Sequence, residues 1–249
     1  MNLPEPSPEA VAALAPTGSL RAAINLSNFL LVTGASENGD PEGVSPDLAD
    51  ALAERLGVEL EVLRYESPGA VADDGDSGRW DIGNIGSAPQ RAEHIDFTAA
   101  YCEIESTYLV RAKSGLSSID DVDQPGRTIV APARAAYGLW LERNLTRAEL
   151  TLVSDMDMAY ETWVREGLDA LGGLRPGLLD YRDQNPGSVI LDGRFAAVQQ
   201  AVGTPKGRDK AGFEYLARFV EAAKASGLVG DLIGRHEVTG RLTVAPLAE

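Results

Sequence analysis

The chain has 249 residues, of which 44% are hydrophobic, so it is long enough for two modest domains or one large one. Its 38 Asp and Glu residues outnumber its 22 Lys and Arg residues, which gives a net charge of −16. This acidic balance argues against nucleic acid and against an anionic membrane surface as partners. No metal site and no cofactor are expected, because Cys102, His94 and His236 are the only residues of their kinds and form no cluster with ligand spacing.

The amino-terminal residues have neither the basic region nor the apolar region of a signal peptide, and no stretch is long enough to span a bilayer. Membrane insertion is therefore not expected. Two interpretations of the localisation stay open: periplasmic after removal of a signal peptide, or cytoplasmic. The pattern of residues 8–14 predicts a short helix that leads directly into the fold, which gives weight to the second interpretation.

Residues 18–24 predict a turn followed by a first strand, and residues 25–29 the loop at its carboxyl end. In open α/β sheets that edge is where ligands bind. Asn28 and Phe29 could supply a hydrogen bond and an apolar wall there. The alternatives, turn chemistry for Asn28 and a core position for Phe29, stay open.

Residues 45–57 predict a helix with both ends marked: Ser45 as the N-cap, and Gly57 as the stop. An apolar stripe with helical spacing runs between them. Residues 58–63 alternate as a second strand, so that strand, helix and strand predict a right-handed parallel unit. Residues 67–79 show only a weak helical pattern.

The stretch 80–101 joins a buried strand, a polar loop and an arginine. The strand ends at Gly86, the loop begins at Ser87, and Arg91 lies at the start of a predicted short helix. Two interpretations of Arg91 are weighed: a surface salt bridge to a neighbouring acid, or a planar guanidinium that clamps a ligand carboxylate.

This stretch resembles type II periplasmic solute-binding proteins of family 3, the amino-acid-binding domains of ABC transporters. In that family a strand ends in a polar loop, followed by Thr-x-x-Arg, an apolar-Phe-Thr/Ser unit and a Tyr. The matching residues here are Arg91, Ile95, Asp96, Phe97, Thr98 and Tyr101. The resemblance extends over nearly the whole chain, and it implies that Arg91, with Gly86 and Ser87, binds a carboxylate.

Residues 102–110 predict a strand at which, by the resemblance, the chain crosses into a second lobe. Its period of two places Glu103 and Glu105 on one face, about 6.5 Å apart. A partly buried carboxyl group there could orient a ligand amine or donate a proton, because burial raises its pKa. A solvated strand face is the alternative.

In the predicted second lobe, residues 126–131 form a strand and residues 135–145 an amphipathic helix with Trp140 facing inward. The free amides at the start of this helix suit an anion. Arg134 and Ala135 stand where relatives commonly have Gly-Thr or Gly-Ser. Arg134 is therefore a second candidate clamp, with a solvated arginine as the alternative.

The segment beginning at Asp169 resembles the family's Gly-x-x-Asp-Ala and the short strand after it, which often ends in an Asp that pairs with a ligand ammonium. Here Leu174 takes that position and Arg175 follows. A buried ammonium without a carboxylate partner is costly. Arg91, Arg134 and Arg175 would together suit a ligand with two acidic groups, unless Glu103 or Glu105 replaces the missing acid.

Residues 195–202 predict the return crossing, and a long amphipathic helix follows. Residues 238–249 show no pattern and are expected to form a loose tail or an arm on a neighbouring subunit.

The resemblance therefore predicts an α/β fold with two lobes, 1–108 plus 200–249 and 109–199. Two crossing strands join the lobes, and the ligand cleft, which would close by hinge motion, lies between them. The predicted function is binding of a small carboxylate-bearing solute, amino-acid-like or an organic acid, as an ABC-importer-type protein with a permease as a further partner. The alternative is a lyase of the cyclohexadienyl dehydratase type, with Glu105 as its general acid.

Overall fold

The structure is a computed structural model that describes residues 3–248. The helices are α1 (Pro8–Leu14), α2 (Val44–Leu56), α3 (Pro68–Asp73), α4 (Ala136–Asn144), α5 (Met156–Glu166), α6 (Arg175–Gln184), α7 (Lys210–Ala225) and α8 (Leu228–Arg235). The strands are β1 (Ser19–Asn25), β2 (Gly34–Ala35), β3 (Pro41–Glu42), β4 (Glu59–Tyr65), β5 (Ile82–Gly86), β6 (Ile95–Arg111), β7 (Thr128–Pro132), β8 (Glu149–Val153), β9 (Ala170–Leu174), β10 (Ser188–Ile190), β11 (Ala196–Pro205) and β12 (Thr243–Val244).

The described residues fall into two compact units. Unit 1 contains those up to Glu103 and those from Gln199 onward, and unit 2 is Ile104–Val198. Strand β6 carries the chain from unit 1 into unit 2, and β11 carries it back. The predicted lobe boundaries, after residues 108 and 199, stay a prediction, and residues 1, 2 and 249 of the predicted first lobe lie outside the described part of the chain.

In unit 1, β1 pairs in parallel with β4 on one side and with β5 on the other. Strand β11 pairs antiparallel with β5. Because β1 and β5 are parallel neighbours, the loops that follow Asn25 and Gly86 leave the sheet at the same edge. That edge is where the sequence places Asn28, Phe29 and Arg91.

Helix α2 follows the predicted apolar stripe, with Leu48, Leu52 and Leu56 all buried. It ends at Gly57, as predicted. The predicted N-cap is wrong, because the observed N-cap is Gly43, two residues before Ser45. Ser45 lies inside the helix, where its hydroxyl is buried and hydrogen-bonds the Tyr101 hydroxyl at 2.9 Å.

In unit 2, β7 pairs in parallel with β8 and β9, and the carboxyl-terminal part of β6 pairs antiparallel with β9. Strand β10 extends the sheet on the other side of β6. The carboxyl ends of β7 and β9, Pro132 and Leu174, lie at the same edge for the same reason as in unit 1. Arg134 and Arg175 follow these two strand ends.

A fully buried carboxylate holds three segments of unit 1 together. Asp81, just before β5, receives the Nε and Nη2 groups of Arg21 in β1, both at 2.9 Å. The Nη2 group of Arg208, just before α7, approaches the same carboxylate at 2.6 Å. A buried carboxylate is tolerated where such donors satisfy it. Asp81 therefore fixes β5 against β1 and against the start of α7.

The carboxyl-terminal segment is not the loose tail that the sequence predicted. Strand β12 pairs antiparallel with β6, and the Ala245 amide donates to the Tyr101 carbonyl at 3.1 Å. The Lys224 ammonium then donates to the Pro246 carbonyl at 2.8 Å. Backbone pairing, which a pattern of side chains does not reveal, holds this segment on its own unit.

In residues 3–248, no helix has both the length and the apolar character that crossing a bilayer requires. Across the same residues, no group of three or more His, Cys, Asp or Glu side chains could hold a metal ion.

Asp81→Asn should lower the free energy of unfolding by about 3–5 kcal/mol, because it leaves two partly buried guanidinium groups without their carboxylate. Urea unfolding of both proteins measures this change. Asp40→Asn is the matched control, because its ion pair with Arg64 is exposed and should contribute under about 1 kcal/mol. Equal losses in the two variants would contradict the structural role of Asp81.

Candidate functional site

Arg91 lies at the start of a 3₁₀ turn, Arg91–Glu93, that follows the loop after β5. Arg91 is 4% exposed, so it does not lie at the surface as the salt-bridge alternative assumed. One terminal nitrogen, Nη1, donates to the Gly86 carbonyl. The last residue of β5 therefore orients the guanidinium.

The loop itself is fixed by backbone hydrogen bonds. The Ser87 amide donates to the Gln199 carbonyl at 2.8 Å, and the Arg91 amide donates to the Ala88 carbonyl at 3.0 Å. Because burial of a guanidinium without hydrogen bonds is costly, the Gly86 carbonyl also stabilises the buried position of Arg91. The structure brings Gly86, Ser87 and Arg91 together, as predicted, while their role in binding stays a prediction.

The loop after β1 contains Asn28 and Phe29. Asn28 takes part in a turn: its side-chain oxygen accepts from the Leu30 amide at 3.2 Å, and its carbonyl accepts from the amides of Leu31 and Val32. Phe29 is 41% exposed, so the core alternative for this residue is wrong. The Arg241 guanidinium lies 5.5 Å from the centre of its ring. An apolar wall formed by Phe29 stays a prediction.

In unit 2, Arg175 and Glu105 form an ion pair, with Nε and Oε2 2.9 Å apart. The Nη2 group of Arg175 also donates to the carbonyls of Leu191 and Gly193. Arg194 approaches the other carboxylate oxygen of Glu105 at 3.8 Å. These bonds engage Arg175 and Glu105 within their own unit, which weakens the prediction that either contacts a ligand directly.

Glu103 has a different environment from Glu105. It lies in unit 1, is partly buried, and accepts a hydrogen bond from the Gln199 amide group at 2.8 Å. Gln199, in the returning strand β11, was not singled out from the sequence. A glutamine carries no distinguishing spacing, so only the pairing of two distant strands reveals this contact.

Arg134 and Ala135 occupy the junction between β7 and α4. Arg134 is exposed, and Ala135 is the N-cap of α4, without a side-chain cap. A Cβ on Gly138 would lie 1.9 Å from the Pro132 carbonyl oxygen, so only glycine lets the first turn of α4 approach the end of β7 so closely. The anion-binding role of this junction stays a prediction.

Asp169, the acid of the Asp-Ala pair that resembles the family's, is engaged by hydrogen bonds within its own unit. Its carboxylate accepts from the Arg127 side chain and from both the amide and the hydroxyl of Thr128. Partial burial raises its pKa, but these donors outweigh that effect and lower the pKa overall. Asp169 therefore joins β9 to β7. Leu174, at the position where relatives often have an acid, ends β9.

Cys102 lies in β6 and is fully buried. Burial raises the pKa of the Cys102 thiol well above its usual range, and the Glu103 carboxylate raises it further. A thiol that stays protonated is a poor nucleophile.

Comparison with protein families gives one match that covers most of the chain. The model of the bacterial extracellular solute-binding proteins, family 3, matches residues 28–235. A curated relative, the cyclohexadienyl dehydratase of Pseudomonas aeruginosa, is 24% identical over 208 residues, which are 78% of this chain and 74% of the relative.

Solved structures of ABC transporter proteins resemble this one. A binding component from Wolinella succinogenes, complexed with lysine, has a TM-score of 0.70 at 20% identity and covers 88% of this chain and 95% of its own. An amino-acid substrate-binding protein from Streptococcus pneumoniae, bound to L-arginine, has a TM-score of 0.69 at 22% identity and covers 92% and 98%. These likenesses confirm the predicted two-lobed α/β fold of type II periplasmic binding proteins.

The lowered pKa of Asp169 predicts a pH dependence of stability. Because its pKa is lower in the folded than in the unfolded protein, its contribution is present above about pH 4 and is lost as the pH falls through the folded pKa. The free energy of unfolding of the wild type should therefore fall more steeply from pH 5 to pH 3 than that of Asp169→Asn. Urea unfolding at several pH values measures both slopes, and parallel curves would contradict this role.

Proposed function

Because the chain belongs to the bacterial extracellular solute-binding proteins of family 3, we propose that it binds a small solute bearing a carboxylate. The solute is an amino-acid-like compound or an organic acid, and Arg91 binds its carboxylate. The observation that carries this proposal is the burial of Arg91 at the end of a central strand, with its guanidinium oriented by the Gly86 carbonyl.

A buried guanidinium suits a carboxylate for two reasons. Its planar fork matches the two carboxylate oxygens, so the pair forms parallel, charge-assisted hydrogen bonds. Burial lowers the local dielectric constant, so an opposite charge that reaches the group is attracted more strongly than at the surface. The protein as a whole is strongly acidic, so a carboxylate needs such a local cation to bind.

The chemical groups of the solute other than its carboxylate are less clearly indicated. The binding proteins from W. succinogenes and S. pneumoniae hold lysine and arginine, and the charge of −16 on this chain would attract such cationic solutes. Leu174, where relatives often have the acid that pairs with an α-ammonium, favours an organic acid instead. The ion pair of Glu105 with Arg175 makes Glu105 a poor replacement for that acid.

As partner and location we propose an ABC permease on the outer side of a bacterial membrane. The family name and the ABC transporter origin of both solved neighbours support this proposal.

Arg91→Ala should weaken binding of a carboxylate solute by at least about 30-fold, because it removes the charged partner of the carboxylate from a buried position. The affinity of Arg91→Lys, which keeps the charge but loses the planar fork, should lie between the affinities of the wild type and of Arg91→Ala. Calorimetric titration with L-arginine, L-lysine, L-glutamate and succinate, each with all three proteins, measures these affinities.

Arg79→Ala is the matched control, because it removes the same charge from a side chain of the same unit that is 69% exposed and paired with Asp74. It should bind within about twofold of the wild type. If Arg91→Ala retains wild-type affinity for every solute that the wild type binds, Arg91 is not the carboxylate-binding residue.

A lyase acting on a cyclohexadienyl acid is the second candidate. The observation in its favour is the P. aeruginosa relative, a cyclohexadienyl dehydratase. In this chemistry Arg91 would bind the carboxylate of the substrate, and Glu105 would donate a proton to the leaving hydroxyl group. The ion pair with Arg175 counts against Glu105 in that role. The two candidates differ in whether the solute is consumed.

A further inference from the structure

Unit 2 has a surface cavity of about 490 Å³, a volume within the range of small-molecule sites. Its residues are all far in sequence from Arg91, and all lie in unit 2. One side is formed by the rings of Tyr108, Trp140 and Phe195. The charged side chains that line it are Asp120, Asp123, Arg147 and Arg194.

The three rings form a continuous aromatic wall. The Phe195 ring lies 4.6 Å from the Tyr108 ring and 5.4 Å from the Trp140 ring, measured between centroids. The sequence pattern placed Trp140 in the core, and this prediction is wrong: Trp140 is 36% exposed on α4, although it packs against Phe195. An indole that is held in place by another ring and still open to solvent is suited to stack on a planar ligand.

The wall contains a hydrogen-bond donor. Tyr108 is buried to 2% exposure and lines the cavity. Burial raises the pKa of Tyr108 far above its usual value, and the Asp123 carboxylate raises it further, so the phenol stays neutral and protonated. A ligand atom that accepts a hydrogen bond would satisfy it.

The charges around the cavity are balanced. Asp123 is already engaged by the amides of Thr146, Arg147 and Ala148. Arg147 donates to the Gln124 side chain.

The remaining cation, Arg194, lies 3.8 Å from the Glu105 carboxylate. With Asp120, which also lines the cavity, the charged side chains are two acids and two bases, so the cavity has no net charge to compensate a charged ligand for its lost hydration.

We propose that this cavity binds an uncharged, planar aromatic ligand with one hydrogen-bond acceptor, such as an aryl amide. The ring stacks on Trp140 and Phe195, and the acceptor takes the hydrogen bond of Tyr108. This site is separate from the carboxylate site proposed at Arg91, and it does not depend on the proposed function.

Three isosteric probes test the class of ligand: benzamide is neutral, benzoate is an anion and benzylamine is a cation. The indole N–H signal of Trp140 in a proton–nitrogen NMR spectrum reports binding, because Trp80 and Trp163 are fully buried. Benzamide should shift this signal in a saturable way and bind at least about threefold more tightly than either charged probe. A charged probe that binds as tightly as benzamide overturns the ligand class, and no shift with any probe overturns the site.

Two variants separate the site from non-specific binding. Tyr108→Phe keeps the ring and removes the hydroxyl, so it should weaken benzamide binding about fivefold. Trp140→Leu should weaken benzamide binding at least about tenfold. Ligand-observed NMR measures this affinity, because the variant lacks the reporting indole. The affinities for the carboxylate solutes should stay unchanged. Val189→Ala, at another exposed apolar position of unit 2, is the control. Benzamide affinity unchanged in both Tyr108→Phe and Trp140→Leu would overturn the proposal.

Discussion

The buried carboxylate of Asp81 is the interaction on which the geometry of unit 1 depends. It is fully buried and bonded to Arg21 and Arg208, so its charge is tolerable only when β1, the start of β5 and the start of α7 are all in place. Strand β5 then runs from this fixed point to Gly86, whose carbonyl orients Arg91. Asp81 directly precedes β5, and Arg91 follows the loop after it. Strand β5 therefore connects the interaction that stabilises unit 1 to the candidate site.

Local patterns predicted a large part of the fold. The apolar stripe and the terminal glycine of α2 were predicted from helical spacing and from an end signal. The position of Arg91 followed from the strand and loop before it. Trp140 and the carboxyl-terminal segment could not be predicted in this way, because the first depends on packing against Phe195 and the second on pairing between distant strands. The Asp81 cluster joins residues more than a hundred positions apart, which no spacing reveals.

For the three candidate arginines, residue type and position in the sequence do not decide which one binds a carboxylate. Arg91, Arg134 and Arg175 each follow a strand of a sheet, and each was a candidate clamp. The structure separates them by what surrounds them: Arg91 is buried, Arg134 is exposed, and Arg175 is bonded to Glu105 and to backbone carbonyls of its own unit. Arg91 carries the proposal because it is the buried one of the three.

The account rests on reversible binding of a carboxylate solute, and a proton NMR time course of the purified protein tests this most directly. The protein is mixed with amino acids, dicarboxylates and cyclohexadienyl acids such as prephenate, and the solute signals are followed over hours. The account predicts that the signals of at least one carboxylate solute broaden or shift and then persist unchanged. Their replacement by new product signals would contradict it and establish a lyase.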